Sequence, residues 1–272
     1  MLYRPIGFMN TRLTFAGLLI LILPAMLVLP LYVRSRPITI RLLLAAGAAL
    51  GLLVLLLNGT RSAQLGALVG LGLSGWFLVR DFAWLRTRRS LLALAGLTVI
   101  SLLALATVPP LQSLVGKVFE RFNRHTDYSR LVIWSGSGDI IQQHPLLGVG
   151  AGNYKAAQKE WREAYLESHP ELWYFFENSP YGHAHNDLLH AGVIAGVPGL
   201  LVFLLLIVYC VRGPPAHRND HLRSGDYLRA GIAAFFVAGI AQCYFQDDEV
   251  VVFFWSVLAL AERLSEASAS ED

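Results

Sequence analysis

The sequence is dominated by apolar runs that are each long enough to cross a lipid bilayer as a helix. A membrane-spanning helix needs about 20 mostly apolar residues, and runs close to this length recur along the chain. Hydrophobic residues make up 55% of the 272 residues and charged residues only 15%, whereas a soluble domain carries about 25% charged residues. The pattern excludes a soluble globular domain and predicts an all-α, polytopic membrane helix bundle.

Seven of these runs are predicted to be membrane spans. They cover residues 13–33, 42–57, 65–79, 91–108, 188–211, 230–245 and 250–264. The chain is thereby predicted to contain four N-terminal spans in residues 1–108, a long polar loop at 109–187, three C-terminal spans in residues 188–264 and a disordered tail at 265–272. A loop of this length usually carries function, and residues 111–124 within it have the apolar spacing of an interfacial helix.

The arginines predict the orientation of the chain in the membrane. Cytoplasmic loops are enriched in Lys and Arg, and the arginine-dense segments are 34–41, 80–89 and 212–229. They alternate with the spans, so the 109–187 loop is predicted to face outward and the tail to be cytoplasmic. The net charge is only +3, so no nucleic-acid partner is expected. The same alternation places the N-terminus outside, which indicates that N-terminal spans of a longer protein are missing.

Three histidines at the end of the long loop are the first candidates for chemistry: His183, His185 and His190. In an extended chain His183 and His185 would face the same way. They could bind a metal, sit at the lipid–water boundary, or place an imidazole at a cavity where it takes a proton from a sugar hydroxyl. A metal site needs a third ligand and supporting carboxylates, and His190 is poorly spaced to share one, so no metal is predicted.

Arg61 and Arg130 are predicted to lie near the outer membrane surface, where a guanidinium could bind phosphate through paired hydrogen bonds. Such a contact would stabilise a pyrophosphate leaving group as its charge develops. The alternatives are that Arg61 snorkels to the interface and that Arg130 lies on a helix surface. Trp134 follows Arg130 by four residues, so on a helix it shares that face and could shield the arginine side chain.

Other conspicuous segments are predicted to be structural. Gly148-x-Gly150-x-Gly152 is interpreted as a tight turn after a helix that stops at Pro145. Residues 160–165 are predicted to form an amphipathic helix whose aromatic residues stack on sugars or enter the membrane interface. The acidic residues 247–249 form a solvated turn or bind a cation. Close helix packing is predicted at small residues in the third span: Gly66, Gly70 and Gly72.

Several of these segments together resemble a known family. His185-Asn186, nine further residues and Gly196-x-x-Gly199 resemble the signature of bacterial O-antigen ligases, His-[Asn/Ser/Gln]-x9-Gly-x-x-Gly. Arg130-x-x-x-Trp134, with the His144–Gly150 segment, resembles the outer loop of the wider O-antigen ligase and polymerase superfamily. Thr60-Arg61-Ser62 is similar to the short Ser-Arg turn of that superfamily. The resemblance covers about residues 5–262.

This resemblance implies a GT-C-like glycosyltransferase of the bacterial inner membrane with a periplasmic loop. Such an enzyme moves a glycan from an undecaprenyl-pyrophosphate carrier to an acceptor hydroxyl, with inversion and without metal or cofactor. Its implied partners are a lipid-linked oligosaccharide donor, a glycan or lipid acceptor and membrane lipid. By resemblance, His185 would be the general base and Arg61 with Arg130 would hold the pyrophosphate. The implied substrate-binding residues are His183, Asn186 and Trp134.

The sequence also departs from the family. Leu200-Leu201 replaces the Thr-His that often follows the second glycine in lipopolysaccharide ligases. An O-antigen or exopolysaccharide polymerase and a protein O-oligosaccharyltransferase therefore remain open. Full-length members usually have more than the seven predicted spans, so an inactive remnant is a further alternative. A membrane transporter is the alternative from another class, but it would place ionisable groups inside its spans, and most predicted spans carry Asp, Glu, Lys or Arg only at their edges.

Overall fold

The computed structural model describes residues 5–9, 11–33, 35–81, 87, 126–177, 182–213 and 224–270. Within these ranges the chain is helical and contains no strand, which confirms the predicted all-α class. A short 3-10 helix, Pro170–Leu172, precedes the sixth α-helix. The α-helices are α1 Arg12–Tyr32, α2 Ile38–Asn58, α3 Arg61–Asp81, α4 Thr126–Gln143, α5 Tyr154–Ser168, α6 Trp173–Glu177, α7 Asp187–Arg212, α8 Ser224–Gly239 and α9 Asp248–Ser270.

Four of the described helices are long and apolar enough to cross a membrane, namely α1, α2, α3 and α7. They correspond to the first, second, third and fifth predicted spans. The fourth predicted span, at 91–108, and the predicted interfacial helix at 111–124 lie outside the described residues. α8 and α9 form helices where the last two spans were predicted, but they are not among the four.

The bundle core forms where α1, α3, α8 and α9 pack together. Gly66 and Gly70 of α3 lie against the backbone carbonyls of Ala234 and Ala230 in α8, so a methyl group at either glycine would collide with the neighbouring helix. The predicted close packing is therefore confirmed at these two positions. It is wrong for Gly72, where no described residue lies within 4 Å of an added Cβ atom.

The two ends of the bundle can be identified from contacts between helix termini. At one end, which we call the His185 end, the start of α1 meets the loop before α9 through the hydroxyl of Thr14 and the carboxylate of Asp247. At the other, the Arg80 end, Arg80 of α3 binds Asp226 of α8 at 2.7 Å, and Tyr32 at the end of α1 donates to Asp81 at 3.2 Å. The helix directions agree with the predicted alternation of the loops between the two sides of the membrane. Which end faces outward stays a prediction.

Helix α7 is sharply bent at Gly196. Asp187 accepts a hydrogen bond from the backbone N–H of Phe245 at 3.2 Å, and the ring of Phe203 lies 5.2 Å from the Phe245 ring. In a straight helix Asp187 and Phe203 would be about 24 Å apart, so both can contact Phe245 only because the helix folds back. Gly196 makes this bend with φ 68° and ψ −168°, a conformation essentially restricted to glycine.

The polar segment before α7 has a second, smaller core of its own. α4 and α5 pack together around Trp161, whose ring stacks on Tyr165 at 4.9 Å and whose Nε1–H donates to Asp139 at 2.9 Å. Arg162 donates to the carbonyl of Phe176 at 3.1 Å. The helix predicted at 160–165 is confirmed, but Trp161 is 9% exposed and packs inside this core, so it is not a surface for sugars.

Two predicted boundaries differ from the structure. The span predicted at 230–245 ends at Gly239, because residues 240–247 leave the helix and cross the end of the bundle, where Asp187 accepts two of their backbone N–H groups. The tail predicted to be disordered from residue 265 instead begins as the last turns of α9, which continues to Ser270.

Candidate functional site at the His185 end

The segment His183–Asn186 crosses the His185 end just before α7 begins. The rings of His183 and His185 lie together, with centroids 4.0 Å apart, and the backbone N–H of His185 donates to Nδ1 of His183 at 3.2 Å. The two side chains therefore meet as predicted, but the backbone is not simply extended. His185 has a φ of 48° and is the one described non-glycine residue with positive φ, a strained conformation that often occurs at functional sites.

Trp134 fixes this segment from the side of α4. Its indole Nε1–H donates to the carbonyl of Ala184 at 3.0 Å, so it anchors the residue between the two histidines. Arg130 lies one helical turn earlier on the same face of α4. The predicted pairing of Arg130 and Trp134 on one face is confirmed, and the Trp134 nitrogen is used to hold the histidine segment.

Arg130 is close enough to act on both imidazoles. Burial, and then the positive charge of Arg130, lowers the pKa of His183. Burial, the neighbouring His183 ring and the Arg130 charge lower the pKa of His185 to about 4, while the amide of Gln242 opposes the shift. At neutral pH His185 is therefore uncharged and has a nitrogen able to accept a proton.

Asn186 and Asp187 connect the histidines to the rest of the bundle. The side-chain oxygen of Asn186 caps α7 by accepting the N–H of Leu189 at 3.0 Å. The buried carboxylate of Asp187 accepts the N–H groups of Tyr244 and Phe245, each at 3.2 Å. Asn186 thus has a structural contact, and its predicted contact with substrate stays a prediction. Asp187 holds the 240–247 loop against the site.

That loop supplies two site residues that sequence reasoning missed, Gln242 and Tyr244. Both are buried, at 5% and 1% exposed. Tyr244 is within electrostatic range of Arg130, and its hydroxyl faces Ser62. Arg61 precedes Ser62 and opens α3, so both arginines belong to the His185 end. The polar residues within an apolar run, Gln242 above all, were the available signal.

The turn at Gly148-x-Gly150-x-Gly152 packs against the bend of α7 at Gly196-x-x-Gly199. The bend at Gly196 removes two helical donors, because Pro198 has no N–H and the N–H of Val197 bonds to the carbonyl of Pro145 at 2.8 Å. The freed carbonyls of Val193 and Ile194 accept the N–H groups of Val149 and Gly150 at 2.9 and 3.0 Å. The predicted tight turn at 148–152 is confirmed, with positive φ at all three glycines.

His190 and the acidic residues lie at the edge of this arrangement, with His190 within electrostatic range of His183 and Asp247 within that of Tyr244. The His190 ring packs on Tyr154, with centroids 4.8 Å apart. The predicted solvated turn is confirmed for Asp248 and Glu249, which are exposed at the start of α9, and is wrong for Asp247, which is half-buried and accepts the hydroxyl of Thr14. Among the described residues, no group of three or more His, Cys, Asp or Glu side chains is placed to hold a metal ion.

A comparison with protein-family models gives one match, to O-antigen ligase, over residues 46–204. The matched range covers more than half of the chain. The chain belongs to the O-antigen ligase family. Comparison with curated proteins gives no match. The resemblance read from the sequence is therefore confirmed at the level of the family.

Membership identifies the chain as an O-antigen ligase/polymerase-type protein of the membrane, with several candidate spans. The family implies lipid-linked glycan and acceptor substrates. The matched residues contain Arg61, Arg130, His185 and both glycine patterns, whereas Gln242 and Tyr244 lie beyond residue 204. In this O-antigen ligase family member, the signature glycine Gly196 serves the fold, because it lets the 144–150 turn dock on α7.

Proposed function

We propose that this O-antigen ligase family protein transfers a glycan from an undecaprenyl-pyrophosphate carrier to an acceptor hydroxyl, with inversion at the sugar. The acceptor oxygen attacks the anomeric carbon from the face opposite the pyrophosphate. The carbon–oxygen bond to the pyrophosphate breaks and its electron pair stays on the phosphate oxygen. His185 takes the proton of the acceptor hydroxyl, and no metal or cofactor takes part.

One observation carries the proposal: an uncharged imidazole is held beside a guanidinium at the end of a membrane bundle. A general base must be unprotonated and positioned at the hydroxyl, and the lowered pKa of His185 meets the first condition. A pyrophosphate bound by Arg130 would offset that positive charge. The basicity of His185 would then rise when the donor is in place, which suits a base that acts only in the complex.

Arg61 and Arg130 are proposed to bind the pyrophosphate. The two residues come from different helices, α3 and α4, and their neighbourhoods meet at Tyr244. A planar guanidinium offers paired donors to phosphate oxygens and keeps its charge. Stabilising charge that develops on a leaving group contributes directly to the rate. His183, Trp134 and Asn186 are proposed to shape the sugar pocket.

The acceptor class stays open between a ligase and a polymerase. Leu200-Leu201 replaces the Thr-His found after the second glycine of many lipopolysaccharide ligases, which favours a polymer or an exopolysaccharide as acceptor over lipid A–core. We therefore propose O-antigen or exopolysaccharide polymerisation as the second candidate. Assays with each acceptor and the same lipid-linked donor would separate the two.

The test is His185→Gln, assayed for donor binding and for glycan transfer in lipid nanodiscs. We expect donor binding to stay within about twofold and transfer to fall by about 10²- to 10⁴-fold, the usual contribution of a general base. In the unsubstituted protein, kcat/KM for transfer, which reports the enzyme before the donor binds, should change little from pH 7 to about 5 and fall below that, because protonation removes the base.

His144→Gln is the matched control, since His144 is an exposed histidine of the same loop. It should transfer at the unsubstituted rate. Full transfer by His185→Gln would remove the base assignment and the mechanism with it.

A further inference from the structure

Two buried polar atoms in the described part of the His185 end have no hydrogen-bond partner, and they belong to segments joined by the bond between Asn186 and Cys243. Among the described residues, Nδ1 of His185 and Oε1 of Gln242 are both covered from solvent and make no hydrogen bond of normal geometry. An unsatisfied buried donor or acceptor is costly. A small adjustment that joins the two atoms would satisfy both at once.

The chemistry of the two groups fixes the direction of that bond. The unsatisfied atom of Gln242 is its amide oxygen, which can only accept. The ring nitrogen facing it must then carry the proton. Because a neutral imidazole has one N–H, a proton on Nδ1 leaves Nε2 as the free acceptor.

We propose that Gln242 is a positioning residue for His185: its amide oxygen accepts the Nδ1–H and holds the ring in the tautomer whose Nε2 takes the acceptor proton. The proposal rests on the proposed role of His185 as the base. It adds an orienting partner from the 240–247 loop, beyond the residues that match the family.

The position of Gln242 is determined by contacts that do not involve the side chain of His185. Asp187 binds the N–H groups of Tyr244 and Phe245, and Cys243 accepts the N–H of Asn186 at 3.2 Å. The loop is thus fastened to the residues that directly follow His185. A side chain held by such a frame can fix the orientation of a ring, which is how partners of functional histidines usually act.

The groups that face His185 explain why an amide takes this place. Arg130 faces it from α4, His183 from its own segment, and Gln242 and Cys243 from the 240–247 loop. In the part of the chain that the structure describes, no carboxylate is among the groups that shift the pKa of His185. A carboxylate partner would favour the protonated ring, whereas an amide selects the tautomer and leaves His185 neutral.

The direct test is ¹⁵N nuclear magnetic resonance of histidine-labelled full chain in lipid nanodiscs at pH 7, with the His185 signals assigned from the His185→Gln spectrum. We expect the Nδ1–H tautomer in the unsubstituted protein and its loss in Gln242→Ala. Gln246→Ala is the control, because Gln246 is an exposed glutamine of the same loop, and it should leave the tautomer unchanged. A His185 that keeps the Nδ1–H tautomer in Gln242→Ala would overturn the proposal.

Gln242→Glu keeps the accepting oxygen, adds a negative charge and gives a second readout if the alanine variant does not fold. The tautomer should persist and the pKa of His185 should rise by about 1 to 3 pH units, the effect of a nearby opposite charge. An unchanged pKa in this variant would place residue 242 away from the ring and overturn the proposal. Gln246→Glu should not shift the pKa.

Glycan transfer separates this proposal from the base assignment. Gln242→Ala should lower kcat by about 10- to 100-fold, the range for removing the partner of a functional histidine, with KM for the donor within about twofold. A tautomer that changes while transfer stays unchanged would uphold the Gln242 contact and overturn the role of His185 as base.

Discussion

The Arg80 end and the His185 end of the bundle differ in how their polar side chains are bonded. At the Arg80 end, Arg80 bridges Asp81 and Asp226 at 2.7 Å each, and Asp81 also accepts the hydroxyls of Tyr32 and Tyr227. At the His185 end, buried atoms of His185, Gln242 and Tyr244 have no hydrogen-bond partner of normal geometry. Among the described residues, the charged network around Asp81 therefore lies at one end of the helices and the unsatisfied atoms of His185, Gln242 and Tyr244 lie at the other. Buried atoms without a hydrogen bond of normal geometry also occur at Ser74, Arg229 and Glu262.

This difference indicates which end stabilises the fold and which end is prepared for a ligand. Buried polar groups are normally satisfied, so exceptions call for an explanation. Perturbed titratable groups gather at functional sites because chemistry requires them there. The Arg80 end has the character of a structural clamp between α1, α3 and α8. The His185 end instead brings the imidazole of His185 and the charge of Arg130 together, where a substrate could use them.

The largest expected effect on stability is at the Arg80 end. Asp81→Asn removes the negative charge that three neighbouring groups share, and the Asp81 side chain is only 3% exposed. We expect the free energy of unfolding to fall by about 3 kcal/mol, since one partner of a buried charged network is lost. Chemical unfolding in detergent micelles would measure this, and transfer per folded molecule should stay unchanged. Unaltered stability would contradict the clamp.

A smaller effect is expected at the bend of α7. Gly196→Ala places a methyl group 2.6 Å from the carbonyl oxygen of Pro145 at a φ of 68°, and backbone strain of this kind costs about 1–3 kcal/mol. The same unfolding assay would show the loss. Gly72→Ala is the matched control, because no described residue lies within 4 Å of an added Cβ atom there and alanine favours the helix by about 0.5–1 kcal/mol. Equal stability of the two variants would show that the bend tolerates a side chain.

Much of this architecture could be predicted because it depends on local patterns. Apolar runs predicted the helices, and arginine-dense loops predicted which loops share an end of the bundle. The spacing of His183 and His185 predicted that these residues face the same way. The tight turn at 148–152 followed from its glycines. The signature glycine Gly196 could be recognised from sequence, but its physical reason, a docking site for that turn, needed the fold.

The remainder depends on contacts between segments far apart in the chain. By hydropathy, residues 240–245 resemble the end of a span. In the structure they leave the helix and cover the site, where Asp187 accepts two of their backbone N–H groups. Gln242 and Tyr244 were therefore missed as site residues. Asp187 adjoins the signature histidine but was not singled out, because a carboxylate at a helix start is most often an ordinary cap.

The comparison between the ends rests most directly on one matched pair of substitutions, Arg130→Lys and Arg80→Lys, assayed for glycan transfer per folded molecule. Lysine keeps the charge in both variants but loses the planar fork. We predict that Arg130→Lys transfers about 10- to 100-fold more slowly at unchanged stability, which is less than the about 10²- to 10³-fold cost of losing a whole transition-state donor because lysine keeps the charge. Arg80→Lys should lose stability and transfer at the unsubstituted rate. Equal transfer rates in the two variants would contradict the assignment of the chemistry to the His185 end.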